Sequence, residues 1–221
     1  FFIDSCFTRT DIGNIINDYT PVIALNPCEN KITVEDATAY NAGDTVLLIQ
    51  MKGAVIDSSN TAAFGTVTDY KNAGNYEFNY VKSKAGNIIE LKNILTRQYD
   101  IPIGKVQLVR VPYYEDVNVA STLTCLPWDG SKGGVLVLNV QDTINLSADI
   151  DVSGKGFKGG IGYNSQNGTL NCSQNNYHYP ATNNTIAGQK GESIASPSSN
   201  INYGKGKSAG GGGGGLGHNS G

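Results

Sequence analysis

Hydrophobic and polar positions alternate with a period of two through much of the first half of the chain. Residues 31–34, 45–51, 64–70, 76–83, 88–91 and 106–111 read as short strands separated by turn signals. Tyr76, Phe78 and Tyr80 alternate with Glu77 and Asn79, which predicts one aromatic face and one wet face. Val46-Leu47-Leu48-Ile49 is apolar on both faces and predicts a central strand. Asn41-Ala42-Gly43-Asp44 and Ala85-Gly86-Asn87 supply turns, because glycine accepts the positive φ a tight turn needs. One stretch has helical spacing: Ile12, Ile15, Ile16 and Tyr19 predict a helix over residues 10–19, weakened by Gly13.

The rhythm changes after Trp128. Residues 135–140 form a continuous apolar run and predict a strand. Ile144, Leu146, Ala148, Ile150 and Val152 then alternate strictly with Thr143, Asn145, Ser147, Asp149 and Asp151. Strands joined by short corners, one face aliphatic and the other polar, match one coil of a parallel β-helix, and such a coil needs stacked neighbours to close its core. The expectation is an all-β chain: an N-terminal segment at 1–30, a small β-barrel or sandwich at 31–114, and from 115 to 221 the start of a right-handed parallel β-helix with a Gly-rich insertion. The Tyr and Ile residues that punctuate the Gly-rich segment predict that it is at least partly ordered.

Composition sharpens this picture. Residues 1–130 hold 8 glycines and residues 131–221 hold 20, and the 221-residue chain has 24 asparagines and one methionine, a poor inventory for helices. Charged residues make up 16%, with 16 Lys+Arg against 19 Asp+Glu and a net charge of −3. The cations are scattered, which argues against a nucleic-acid partner, and no apolar run is long enough for a membrane helix. The chain opens Phe1-Phe2-Ile3 without Met and closes on a glycine run at 210–215 followed by Leu216 to Gly221. Both ends are expected to belong to a larger protein, with a leader removed or further chain around them. Cysteines stand at 6, 28, 125 and 172 with no C-x-x-C, and histidines only at 178 and 218, so a zinc site lacks ligands and spacing. In an exported chain the even count favours two disulfides. Three connectivities are open, of which the sequence-local Cys6–Cys28 and Cys125–Cys172 is preferred over the others and over four free thiols.

Most chemical motifs fail on inspection. Gly154-Lys155-Gly156-Phe157-Lys158-Gly159 matches a dinucleotide fingerprint, yet Gly160-Ile161-Gly162 cannot start the helix that holds a pyrophosphate. Gly206-Lys207-Ser208 ends like a phosphate loop, but Ile201 stands where its first glycine belongs. Asp149-Ile150-Asp151 opens like a calcium loop whose closing glutamate would be Gly160, so Asp149 and Asp151 are weak metal candidates and more readily a solvated strand face. About 7 Å apart on one face, they would suit an inverting glycosidase pair, but no Arg or His stands near them. No cofactor and no catalytic residue is expected. Trp128 reads as a buried seal. Tyr163, Tyr177, Tyr179 and Tyr203, set among amides and glycines, are the ligand-binding candidates, able to stack on neutral glycans or to pin the loops down.

Certain stretches resemble a known group. Residues 43–54 (Gly43-Asp44-Thr45 to Gly53-Ala54), Gly74-Asn75-Tyr76-Glu77-Phe78, residues 104–112 (Gly104-Lys105-Val106 to Val111-Pro112), Trp128-Asp129-Gly130 with Gly133-Gly134, and residues 151–160 are similar to the opening of large secreted surface proteins of Bacteroidota. These include gliding-motility-associated proteins, type IX secretion substrates and giant adhesins. The resemblance spans roughly residues 30–160 and implies export, display on the cell surface, and contact with secretion or motility machinery of the outer membrane. It carries no catalytic residues. The function expected is a non-enzymatic adhesin or filament module that meets surface glycans or abiotic surfaces, without membrane insertion. A polysaccharide-active β-helix enzyme and a phage-like receptor-binding tip are the alternatives.

Overall fold

The structure, a computed structural model, describes residues 9–161, 176–180 and 187–214. It is all-β: the described residues form eleven strands, with short 3-10 turns at Pro27–Glu29 and Ser199–Ile201. Among the described residues no helix is long and apolar enough to cross a membrane. The chain forms two compact units: the first from Phe1–Ile49, Tyr76–Arg97 and Val106–Gly156, the second from Gln50–Asn75, Gln98–Lys105 and Phe157–Gly221.

In the first unit, β2 (Tyr19–Asn26), β3 (Lys31–Val34), β4 (Thr45–Gln50), β7 (Tyr76–Ala85), β8 (Ile88–Leu91) and β9 (Val106–Val111) close into a barrel in the order β2-β3-β8-β7-β4-β9. The described pairings are antiparallel. Alternate residues of these strands (Ile32 and Val34, Val46 and Leu48, Ile89 and Leu91, Val106 and Leu108) are each at most 2% exposed and form the core. Each side chain so buried is worth about 1.5–3 kcal/mol before conformational entropy is counted. Tyr40 is buried with them, its hydroxyl donating to the Leu108 carbonyl at 2.8 Å. The β7–β8 hairpin turns on Gly86-Asn87, with Gly86 at φ +58 where a two-residue hairpin needs a positive φ.

Strand β7 inverts the expected sidedness. Asn79 and Val81 are buried at 1% and 2%, while Tyr76, Phe78 and Tyr80 stand 46–54% exposed. Asn79 tolerates burial because its amide donates to the Asn93 carbonyl at 2.9 Å and accepts the Asn93 N–H at 3.0 Å.

The same unit holds a parallel sheet in the order β1-β10-β11, made of β1 (Thr10–Ile15), β10 (Tyr113–Thr124) and β11 (Asn139–Leu146). The helix expected over 10–19 is therefore a strand followed by the start of β2. Gly13 decides this: a Cβ there would fall 1.9 Å from Ser121 Oγ, so the residue that weakens a helix is what lets β1 lie close against β10. Register stacks Ile12, Val119 and Leu146 in one row and Asp11, Asn118 and Asn145 in the next. Asn118 donates to Asp11 at 2.8 Å and accepts from Asn145 at 2.6 Å. Exposure along the apolar row runs 7%, 0% and 61%, so the row ends uncovered on β11.

The strand expected over 135–140 begins only at Asn139. Residues 135–138 are a strap whose two faces serve different clusters. Val135 and Val137 pack with Leu47, Val109 and Val111, and Leu136 and Leu138 pack with Ile12, Val117, Val119 and Leu123. That double duty accounts for an apolar run without alternation. Side chains substitute for ladder bonds: Asn17 Nδ2 donates to the Val137 carbonyl at 2.6 Å and the Tyr19 hydroxyl to the Val135 carbonyl at 2.6 Å. Trp128 is 2% exposed, with its backbone N–H on the Lys155 carbonyl at 2.8 Å.

The second unit has little regular structure: a small hairpin of β5 (Val55–Ile56) and β6 (Val67–Asp69), plus isolated bridges such as Ala54 with Ala195 and Gln189 with Tyr203. Its glycines let backbone meet backbone. Gly65, at φ +82, lies so near residue 207 that a Cβ would fall 1.6 Å from the Lys207 carbonyl oxygen.

Candidate functional site

The second unit is organised around Lys190. Its side chain enters a region where carbonyls, not aliphatic groups, converge. The ammonium donates to the carbonyls of Tyr177 (2.7 Å), Gly204 (2.9 Å) and Gly206, and lies 4.5 Å from the centre of the Phe64 ring. All three ammonium donors are thus satisfied, and Lys190 is 3% exposed. Burial draws its pKa down to about 8. The His178 ring lies tilted beside that of Phe64, 5.3 Å centre to centre, and burial followed by the nearby Lys190 charge lowers its pKa.

Three of the four candidate tyrosines meet here. Tyr179 and Tyr203 exchange backbone hydrogen bonds at 3.0 and 3.3 Å. Tyr179 is 4% exposed, which leaves its ring no open face. The Tyr177 carbonyl binds Lys190 and its half-buried ring has Lys205 Nζ 4.7 Å from its centre. Tyr163 lies outside the described residues, as do Cys6, Cys172 and His218. Of the other cysteines, Cys28 is exposed and Cys125 buried, each unbonded among the described residues, with their expected partners outside them. Asp149 and Asp151 are exposed on the chain that leads from β11. Asp151 is spent locally: its carboxylate accepts the Ser153 N–H at 2.8 Å, and the hydrogen bonds from Ser153 lower its pKa. Among the described residues no group of three or more His, Cys, Asp or Glu side chains gathers as a metal site would require.

A second polar assembly stands two residues along. Glu192 accepts from Lys52 Nζ at 3.1 Å and from the Lys158 N–H at 3.0 Å, and Lys52 Nζ lies 5.4 Å from the Phe157 ring centre. Burial works to raise the Glu192 pKa, but the Lys158 N–H and Lys52 outweigh it, and the carboxyl stays below its usual range. This pair lines a hollow of about 220 Å³ with Gln189, Ser193, Pro197 and Asn202. Another hollow of about 240 Å³, walled by Val55, Ile56, Ile103 and Ile201, shares Ser196 and Pro197 with it. The first hollow is therefore lined by amide, hydroxyl and ion pair, and the second mainly by aliphatic side chains. The side-chain amides of Gln189 and Asn202 make no hydrogen bond among the described residues and are open to a ligand.

Sequence reasoning missed Lys52, Gln189, Lys190, Glu192 and Asn202. A signal existed: between Gly159 and Gly204 the only charged residues are Lys190 and Glu192. Two isolated charges in so long an uncharged run mark positions where a charge has a partner to meet.

No protein-family model matches the chain, and no curated protein matches it. Two solved structures are similar in part. One is the Gp54 tailspike of Acinetobacter baumannii bacteriophage AP22, determined in complex with A. baumannii capsular saccharide, at 15% identity over 57% of this chain and 19% of that one, with a TM-score of 0.32. The other is the tailspike protein gp49 from Pseudomonas phage LKA1, at 14% identity over 67% of this chain and 24% of that one, with a TM-score of 0.30. The chain thus spans about a fifth to a quarter of the length of either.

Proposed function

We propose that this chain is a non-enzymatic saccharide-binding module of a secreted cell-surface protein. The observation that carries the reading is the pair of adjoining hollows in the second unit, one polar and one apolar. Gln189 and Asn202 line the polar hollow with amides that have no hydrogen-bond partner among the described residues, and Val55 and Ile103 line the apolar hollow that shares Ser196 and Pro197 with it. Hydroxyl-binding amides and an apolar surface for C–H groups thus lie in neighbouring hollows. Binding without turnover fits the state of its carboxylate. Glu192 is held ionised by Lys52 and the Lys158 N–H, so it has no proton to give, and neither hollow is lined by a second carboxylate. Lys190, with three carbonyls on its ammonium, has no lone pair for nucleophilic work. Display in many copies turns weak contacts into firm attachment. Surface display through type IX secretion, with a tie to gliding motility, belongs to this proposal on the sequence resemblance alone. A right-handed parallel β-helix continuing the β1-β10-β11 sheet also belongs to this proposal, on the apolar run at 135–140 and the alternation over residues 143–152.

The test is a glycan array and calorimetry on the intact chain beside Gln189→Ala/Asn202→Ala, with a polysaccharide-cleavage screen run on the same panel. Binding of neutral glycans that falls at least tenfold in the double variant supports the reading. Cleavage by the intact chain that disappears in Glu192→Gln, or in Asp149→Asn or Asp151→Asn, replaces it with an enzyme.

A further inference from the structure

The barrel carries a feature that the hollow of the second unit does not use. Tyr76, Phe78 and Tyr80 occupy alternate positions of β7 and project from one face, 52%, 54% and 46% exposed. At about 3.3 Å per residue the three rings form a strip roughly 13 Å long. Soluble proteins seldom leave three consecutive outward positions of a strand aromatic, since the strip costs solvation and invites association. Strand propensity alone would be met by Thr or Val at such sites.

Each end of the strip carries a cation. Arg97 lies 5.9 Å from the Tyr76 ring centre and Lys92 lies 5.7 Å from that of Tyr80. The segment that bears them is fixed, not loose. Lys92 N–H donates to the Tyr80 carbonyl at 2.9 Å, Asn93 is held by buried Asn79, and Glu77 accepts the Thr96 N–H at 2.9 Å. Neither Arg97 nor Lys92 forms an ion pair with a carboxylate among the described residues, whereas nearby Lys82 is paired with Glu90 at 2.6 Å. Two positioned, unpaired cations therefore bracket three open rings.

We infer that this strip is a binding platform for an acidic polysaccharide, a second site separate from the hollow and independent of its reading. Sugar rings stack their C–H faces on Tyr76, Phe78 and Tyr80, and uronate carboxylates meet Arg97 and Lys92 at the ends. A cation over an aromatic ring keeps its N–H groups free for an anion, so the same residues brace the rings and read the charge. Single-stranded nucleic acid would also stack on aromatic rings, but it requires a basic groove that follows every phosphate. Here the unpaired cations stand only at the two ends, and the chain as a whole carries a charge of −3.

The experiment measures binding of the intact chain to polygalacturonate, to the same polymer fully methyl-esterified, and to an oligothymidylate, at low and high salt. The expected order is polygalacturonate above the ester, with the oligothymidylate weakest. Phe78→Ala alone, and the Tyr76→Ala/Phe78→Ala/Tyr80→Ala variant, are expected to lose tenfold or more on both polysaccharides. Lys92→Gln/Arg97→Gln is expected to erase the preference for acid over ester and most of the salt dependence, while Gln189→Ala/Asn202→Ala changes neither. Tyr76, Phe78, Tyr80, Lys92 and Arg97 are all exposed, and unchanged circular dichroism and melting confirm that the variants are folded. Equal affinity of Phe78→Ala and the intact chain, a preference that survives loss of both cations, tighter binding of oligothymidylate, or no binding of polygalacturonate would each overturn the inference.

Discussion

The two units solve the same problem with opposite means. The barrel buries alternate Val, Ile and Leu side chains and satisfies its backbone through regular ladders. The second unit has few large side chains to bury and few ladders, so carbonyls are brought together by glycines and one ammonium collects three of them. The barrel's stability is spread over many similar contacts. That of the Gly-rich unit is concentrated in a few groups that cannot be exchanged, because a buried carbonyl left without a donor costs about 1–3 kcal/mol while a lost methylene costs less. The difference is sharpest in how each unit should fail.

The largest effect belongs to the barrel. Leu48→Ala empties a fully buried site and is expected to cost about 2–5 kcal/mol, read as a lower denaturation midpoint and faster amide exchange across β2–β4 and β7–β9. Next comes Lys190→Met, which keeps the aliphatic stem and removes the ammonium. With the Tyr177, Gly204 and Gly206 carbonyls deprived of their donor, a loss of roughly 3 kcal/mol is expected, with faster exchange confined to the second unit. If Lys190→Met loosened the barrel equally, or were silent, the contrast between the units would collapse. Gly65→Ala follows, at on the order of 2 kcal/mol, because a positive φ and a Cβ 1.6 Å from the Lys207 carbonyl oxygen are penalised together. Gly86→Ala, with a positive φ but open space, is the control that isolates the backbone part.

The same contrast explains what could be read from the chain. Where side chains do the work, their order along the sequence reports it. The strands at 31–34, 88–91 and 106–111 coincide with β3, β8 and β9, and Val46 to Ile49 lies in β4, flanked by β7 and β9 in the barrel. The errors arise where an apolar residue serves something other than a strand's inner face. Residues 135–138 face two clusters at once, and Tyr76, Phe78 and Tyr80 face outward while Asn79 is tolerated inside by its bonds to Asn93. Where the backbone does the work, sequence order reports little. No periodicity links Lys190 to the carbonyls of residues 177, 204 and 206, or Lys52 to Glu192, which is 140 positions away. The hollow and the lysine cage were invisible for that reason, although the isolated charges at 190 and 192 were a usable hint.

Alkaline pH should reach the two units in different windows, strengthening the second before it weakens the first. Lys190 has a folded pKa of about 8 against 10.5 in a free side chain. Between these values the unfolded chain holds more proton at this site than the folded one, so raising the pH through the window adds stability to the second unit. The barrel's Tyr40 is the reverse case. Burial first, and then Asp18, raises its pKa above the ordinary 10, so its contribution is intact below pH 10 and is lost as the pH climbs beyond it. Exchange rates measured from pH 8 to 9.5 should slow in the second unit relative to the first, after correction for intrinsic chemistry, and the slowing should vanish in Lys190→Met. Above pH 10 both units weaken, since burial also raises the Tyr179 pKa.

The smallest effect tests the parallel sheet, where the barrel's logic of side-chain burial runs out at an edge. Leu146 continues the row of Ile12 and Val119, yet it is 61% exposed where Val119 is fully buried. A residue so exposed loses little transfer energy on truncation, so in the isolated chain Leu146→Ala is expected to stay within about 0.5 kcal/mol. A further parallel strand laid along β11 would change that. It would cover Leu146, place a partner beside Asn145, and raise the cost to the 2–5 kcal/mol of an interior leucine. Measuring Leu146→Ala in the 221-residue chain and again in the longest version of the protein that can be produced separates the cases. A cost that rises with chain length supports a β-helix continuing from β11. An equal, small cost in both leaves the β1-β10-β11 sheet as a three-stranded appendage of the barrel and removes the solenoid from the proposal.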